Sequence, residues 1–203
     1  MDKHLSWLIG RYPALECCAD GVMNAFEVMR DCFSGGGKAL VCGNGGSAAD
    51  AEHWCAELMK GFEKKRPLDA ALKSRLPGDM AEALQGALPA IPLTGFISLT
   101  TAFANDVRPE LIFAQMTLGL GREGDVLVGI STSGNSKNVC RALEVAKARG
   151  LKTIGLTGRG GGRVAELSDV AIQVPAVRTC EVQEYHLPVY HCISLMLEDE
   201  FFV

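Results

Sequence analysis

The sequence predicts a doubly wound α/β domain: a parallel sheet with helices on both faces and extra helices ahead of it. Three observations carry that expectation. Short apolar runs, KALVC (38–42), PAIPLT (89–94), DVLVGIST (125–132), KTIGLTG (152–158) and DVAIQVP (169–175), have the length and character of buried strands. They alternate with helical stretches of about 10–15 residues, the pattern of right-handed βαβ units. Two runs end in loops rich in glycine and hydroxyl residues, GNGGS (43–47) and STSGNS (131–136), at the strand ends where such sheets bind ligands.

Each element follows in order. Residues 1–33 read as two helices, with Pro13 marking the break between them, and SGGG (34–37) stops the second. After KALVC a helix is expected from about Ala48 to Phe62. Residues 63–88 are more polar, hold Pro67, Pro77 and Gly78, and read as an insertion-like excursion with a short helix around residues 80–88. PAIPLT leads into a turn and a helix reaching Asp106, and DVLVGIST begins after the turn GREGD. An amphipathic helix over SKNVCRALEVAKARG closes with Gly150 as its C-cap. GRVAELS (162–168) makes a short helix, and the last helix runs from about Cys180 to Phe202.

Composition narrows the function. At 203 residues the chain suits one domain with ample core, residues 1–203. A net charge of -4 and no basic stretch beyond Lys64, Lys65 and Arg66, which read as a solvated loop, give nucleic-acid binding no support. No apolar run approaches the ~18–20 residues of a membrane span. The polar, interrupted start MDKHLSWLIGRYPALECC reads as an amphipathic helix rather than a signal peptide. Eight cysteines without C-x-x-C spacing read as reduced core residues of a cytoplasmic protein.

Neither glycine loop is a Walker A motif or a dinucleotide fingerprint. STSGNS offers four hydroxyls, Ser131, Thr132, Ser133 and Ser136, ahead of a helix whose N-terminus favours an anion. Capping would account for one of them, so a phosphate monoester is the expected ligand. In the helix after GNGGS, His53 and Glu57 share a face at i and i+4. In the last helix Gln183 and His191 lie on roughly one side, with Pro188 between them expected to kink the helix. His186 departs from that stripe and reads as structural.

With CGNGGSAADAEHWCAEL (42–58), AND (104–106), GREGDVLVGISTSGNSKNV (121–139), LTGRGGG (156–162) and VQEYH…H (182–191) in view, the chain resembles the sugar isomerase (SIS) domain family. Within it the resemblance is to the phosphoheptose isomerases, which convert sedoheptulose 7-phosphate to a glycero-manno-heptose 7-phosphate. It implies a flavodoxin-like five-stranded parallel sheet and a homotetramer with active sites shared between subunits. It further implies that Asn44, Gly45, Gly46, Ser47, Ser131, Thr132, Ser133 and Ser136 hold the sugar phosphate, and that Asn105, Asp106 and Gln183 line the sugar. Glu57 and His191 become the acid–base pair, and His53, Glu57, Gln183 and His191 match the ligands of zinc-binding members. Gly61 and Cys180 depart from the family pattern beside the substrate, where some members carry arginine and aspartate. The alternative is a non-catalytic SIS protein that senses a sugar phosphate or binds a replication initiator. The full acid–base set favours the enzyme.

Overall fold

The computed structural model describes residues 2–202. Its centre is a five-stranded, all-parallel sheet in the order β2-β1-β3-β4-β5. The strands are β1 (Ala39–Cys42), β2 (Ala90–Pro92), β3 (Val126–Ser131), β4 (Lys152–Thr157) and β5 (Val170–Gln173). This is the flavodoxin-like order, and its switch point falls between β1 and β3. Those two strands pair Ala39 with Val126 and Cys42 with Gly129, so their carboxyl ends emerge side by side.

The apolar runs of β1 and β3 are buried along their whole length because both faces are covered. Side chains alternate between two cores. Ala39, Val41, Val126, Val128 and Ile130 face one layer, built from α1 (Lys3–Arg11), α2 (Ala19–Ser34), α3 (Gly46–Met59) and α10 (Thr179–Phe201). Leu40, Cys42 and Leu127 face the other, built from α7 (Ile112–Leu120), α8 (Lys137–Ala148) and α9 (Gly162–Leu167).

Pro13 does end α1, and a 3₁₀ segment, Pro13–Cys18, bridges to α2. α3 begins two residues before the expected Ala48 and ends three before Phe62, because Lys60 turns to an extended conformation. The excursion carries two short helices, α4 (Ala70–Lys73) and α5 (Gly78–Ala83), and Leu84 leaves the helix, so the one expected at residues 80–88 is shorter and earlier. An isolated bridge between Pro67 and Gln85 closes the excursion at its stem. α6 (Ile97–Asp106) buries none of its residues. α7, by contrast, is apolar nearly all round and shows little helical period in sequence, although it buries one face through Phe113, Ala114, Met116 and Thr117 and leaves Leu118 exposed. Of the eight free cysteines six are buried, but Cys17 and Cys180 are exposed and do not belong to the core. Burial pushes the Cys42, Cys55 and Cys192 thiols up to about 12, which makes them inert. Among the described residues no helix is long and apolar enough to cross a membrane.

His186 behaves as the sequence suggests. Its ring is fully buried and neither nitrogen meets a hydrogen-bond partner. Burial pushes its pKa down to about 4, against a smaller opposing pull from the Thr157 backbone. The neutral form is therefore favoured on folding, and its contribution is complete above the unfolded value near 6.5 and lost as pH falls toward 4. Stability should fall between pH 6.5 and 4, by up to about 3 kcal/mol from this residue. His186→Leu should flatten that slope, as thermal melts across the same pH range will show.

Candidate functional site

Four segments meet at the carboxyl edge of β1 and β3. The loops GNGGS and STSGNS are tied together by a reciprocal amide pair: Asn44 Nδ2 donates to Asn138 Oδ1 at 2.9 Å and Asn138 Nδ2 to Asn44 Oδ1 at 2.8 Å. Asn138 lies in the first turn of α8, so the pair couples the first loop to the helix that follows the second. Gly134 turns with φ +68 and lies so close to the Gly161 carbonyl that no Cβ could be accommodated. Its own carbonyl accepts from Val164 N at 2.8 Å, so the loop after β4 buttresses STSGNS from the side.

The hydroxyls of STSGNS are not used for capping. Ser136 is the N-cap of α8 without a side-chain cap bond, and its Oγ lies 2.9 Å from Ser131 Oγ instead. Ser133 Oγ accepts from Asn135 N at 3.2 Å and remains exposed, while Thr132 is half-buried. A helix of 12 residues thus points its N-terminus at a loop lined with hydroxyl groups, a cradle for a phosphate that uses neutral donors. In GNGGS, Asn44, Gly45 and Gly46 are exposed beside it, whereas Ser47 is buried at the start of α3.

α3 and α10 leave this edge together and run in the same direction. Gln183 sits against Gly46, where a Cβ would collide with its amide nitrogen. About two turns on, the Trp54 and Tyr190 rings stack at 5.6 Å. The His53 and His191 rings meet edge to face at 5.1 Å, and the Phe62 ring lies 5.1 Å from His191. His53 Nε2 lies 3.2 Å from Glu57 Oε1, and Lys60 Nζ donates to Glu57 Oε2 at 3.0 Å, so both oxygens of this mostly buried carboxylate are engaged. His53 Nδ1 pairs with the Tyr190 hydroxyl at 2.9 Å, and that hydroxyl also reaches toward Asp50 Oδ1 at 3.5 Å.

Burial pushes the His191 pKa down, the neighbouring His53 adds to the shift, and Glu57 opposes it. Burial likewise pushes Asp50 up, against its Tyr190 and His53 contacts, and pushes the Tyr190 phenol up with help from Asp50. At neutral pH the site therefore holds a neutral His191 and an un-ionised phenol. Neither Asp50 nor Tyr190 was suggested by the sequence; their signal is an i–3 partner of His53 and the residue next to His191.

The sequence-derived residues thus fall into two groups. His53, Glu57, Gln183 and His191 line the α3–α10 seam, and the residues of both loops lie at its end over β1 and β3. Asn105 and Asp106 stand apart at the end of α6, exposed and hydrogen-bonded to each other at 2.8 Å. The charge run at 64–66 corrects the reading of a solvated loop, because Arg66 is 0% exposed and bonds into the end of α3.

Two imidazoles and a carboxylate are a chemically suitable zinc set. His191 Nε2 is buried without a hydrogen bond, and the Tyr190 contact to Nδ1 leaves His53 Nε2 as its coordinating atom. As arranged, with His53 turned onto Glu57, no group of three His, Cys, Asp or Glu side chains among the described residues closes to metal-ligand geometry.

Residues 14–158 match the model of the SIS domain. The chain is similar to a phosphoheptose isomerase of a Nitratiruptor species, 46% identical over 164 residues that cover 81% of this chain and 78% of that protein. It is similar in structure to phosphoheptose isomerase GmhA from Neisseria gonorrhoeae, with a TM-score of 0.78, 36% identity, and 97% of this chain and 95% of that one covered. A phosphoheptose isomerase from Francisella tularensis matches with a TM-score of 0.78 and 32% identity over 93% of this chain and 91% of that one.

If STSGNS cradles phosphate, Ser133→Ala removes one donor to an anion and should weaken inorganic phosphate binding about tenfold. Titration calorimetry on the folded variant checks this; unchanged affinity places the anion elsewhere.

Proposed function

The chain belongs to the SIS domain family, and on that footing we propose that it is a phosphoheptose isomerase interconverting sedoheptulose 7-phosphate and D-glycero-D-manno-heptose 7-phosphate. The observation that carries the reading is the α3–α10 seam, which sets Glu57, His53 and His191 in contact with one another and begins at the two joined loops.

The chemistry follows from the groups present. The loops anchor the 7-phosphate through Ser131, Thr132, Ser133, Ser136 and the backbone of residues 44–47, leaving the other end of the open-chain sugar to extend along the seam. Isomerisation removes a proton from C1 of the ketose and returns one to C2, while a proton leaves O1 and one joins O2. Glu57 is the base for the carbon-bound proton, held by His53 and Lys60. His191, neutral because it is buried, serves the oxygens, and passes between donor and acceptor without a net charge change over the cycle. Gln183, beside Gly46, orients the middle of the chain. Were zinc bound, His53, Glu57, Gln183 and His191 would hold it, and it would supply Lewis-acid polarisation of the carbonyl.

The assembly reading rests on α6. Ile97 in this helix is 74% exposed, and Leu99 and the flanking Phe96 and Val107 are exposed with it. Asn105 and Asp106 at its end reach no group of the seam within one chain. A homotetramer with sites at subunit interfaces covers the helix and brings these two residues to a neighbour's sugar. The intact acid–base set speaks against a purely sensory or protein-binding role.

Glu57→Gln removes the base while keeping shape, so turnover of sedoheptulose 7-phosphate followed by NMR should fall about 10²–10⁴-fold. Near wild-type turnover would sink the assignment. Ile97→Asp places a charge in the covered face and should reduce the mass seen by light scattering from four chains to fewer, with activity falling in parallel.

A further inference from the structure

Glu57 lies in the last turn of α3, the part of any helix with the least backbone support, because its final carbonyls have no intrahelical partners. α3 ends without a glycine cap: Lys60 simply turns to φ -140 and ψ 171. Leu88 N supplies part of the missing support, donating to the Leu58 carbonyl at 3.0 Å, and Arg66, beyond the end of the helix, supplies the rest. Its Nη1 donates to the Leu58 carbonyl at 2.7 Å and its Nη2 to the Glu57 carbonyl at 3.1 Å. A cation at this end also complements the helix dipole.

The third edge of the same guanidinium is spent on α10. Arg66 Nε donates to Glu198 Oε1 at 2.7 Å, with both side chains almost wholly buried. Glu198 in turn accepts from three consecutive amides, Phe62 N and Glu63 N at 2.8 Å and Lys64 N at 3.0 Å. Burial works against its charge, but these amides and Arg66 outweigh it and hold the carboxyl below its usual range. The Phe202 ring stacks under the guanidinium, 4.6 Å away. Arg66 is also the one non-glycine residue described with positive φ, at 48°, a backbone state retained only where surroundings over-determine it.

Glu198 follows His191 by seven residues, two turns along the same face of α10. The loop whose amides it gathers carries Phe62, whose ring rests on His191. One buried pair therefore braces the carbonyl of the base residue from one side and the ring packed on the imidazole from the other.

We propose that Arg66 and Glu198 form a buried positioning pair that sets the spacing of Glu57 from His191. Neither residue touches substrate. This rests on the reading of Glu57 and His191 as the acid–base pair. A guanidinium is required because its three edges serve α3 and α10 at once, which an ammonium cannot do.

The test compares wild type, Arg66→Lys, Glu198→Gln, the double variant and Phe62→Leu, each shown to be folded by circular dichroism at the assay temperature. For sedoheptulose 7-phosphate, kcat should fall about 10²-fold in Arg66→Lys and Glu198→Gln, since misplacement of reacting groups costs that much. KM should stay within about threefold, because the phosphate loops lie at the other end of α3. The double variant should be no slower than the worse single one, as expected of residues acting through one geometry. A folded Arg66→Lys or Glu198→Gln enzyme with wild-type kcat overturns the proposal, as does a loss confined to KM. If both fail to fold, Phe62→Leu decides, because it keeps the amide bonded to Glu198 and alters only the ring on His191. A reduced kcat supports the brace and an unchanged one overturns it. Failure of the underlying reading looks different: turnover would survive Glu57→Gln, or be absent in wild type.

Discussion

The side-by-side course of α3 and α10 is the constraint on which the site depends. Both helices lie on the same face of the sheet, and their contacts advance in step, from Gly46 with Gln183 to Trp54 with Tyr190 to His53 with His191. A rotation of either helix by one residue would turn His53 or His191 about 100° out of the seam. What prevents it is packing of large rings. Trp54 and Tyr190 are fully buried, and stacked aromatic pairs contribute about 0.5–1.5 kcal/mol beyond the area they bury. Apolar packing thus sets the register in which the polar groups meet one another.

The sheet fixes where that seam begins. In a 2-1-3-4-5 order, the connections from β1 and β3 leave toward opposite faces, which opens a crevice at their ends. α3 covers one face and α8 the other, and the Asn44–Asn138 amide pair spans the crevice. Beside it, Arg108, Arg141 and Arg163 pair with Glu110, Glu144 and Glu166. The hydroxyls and the helix terminus at this end offer directed donors, which specify the position of an anion better than mobile charges do.

Much of this was legible in the sequence. Strands buried on both faces must be continuously apolar, and the five runs found that way are the five strands. The two loops, the His53–Glu57 face and the Gln183–His191 stripe rest on local spacing and could be read directly. Arg66 could not. Its partner Glu198 is 132 positions away, and a basic run beside Lys64 and Lys65 looks solvated until the fold brings a carboxylate to it. Asp50 and Tyr190 were missed for the same reason, since their hydrogen bonds to His53 exist only when α10 lies on α3. α7 was not visible because apolar residues such as Leu118 occupy its exposed side as well as its buried one, which erases the period. The standing of Asn105 and Asp106 depends on a surface of α6 that one chain leaves uncovered.

The distribution of unmet polar atoms adds a physical argument for the seam as the working part of the molecule. Buried donors and acceptors without partners cost stability, and folded chains keep few of them. Among the described residues Asp50 Oδ2, Trp54 Nε1 and His191 Nε2, on the facing surfaces of α3 and α10, make no hydrogen bond, and the other such atoms are Thr100 Oγ1 and the two nitrogens of His186. Replacement by apolar groups of similar shape would suit the core better. The three in the seam lie beside His53 and Glu57, where local consistency yields to chemistry. The Arg66–Glu198 pair is the opposite case. Its buried charges are fully hydrogen-bonded, and a buried pair of that kind contributes geometry more than stability. The two features meet at Glu57, which lies one turn beyond His53 and one residue before the carbonyl that Arg66 holds most closely.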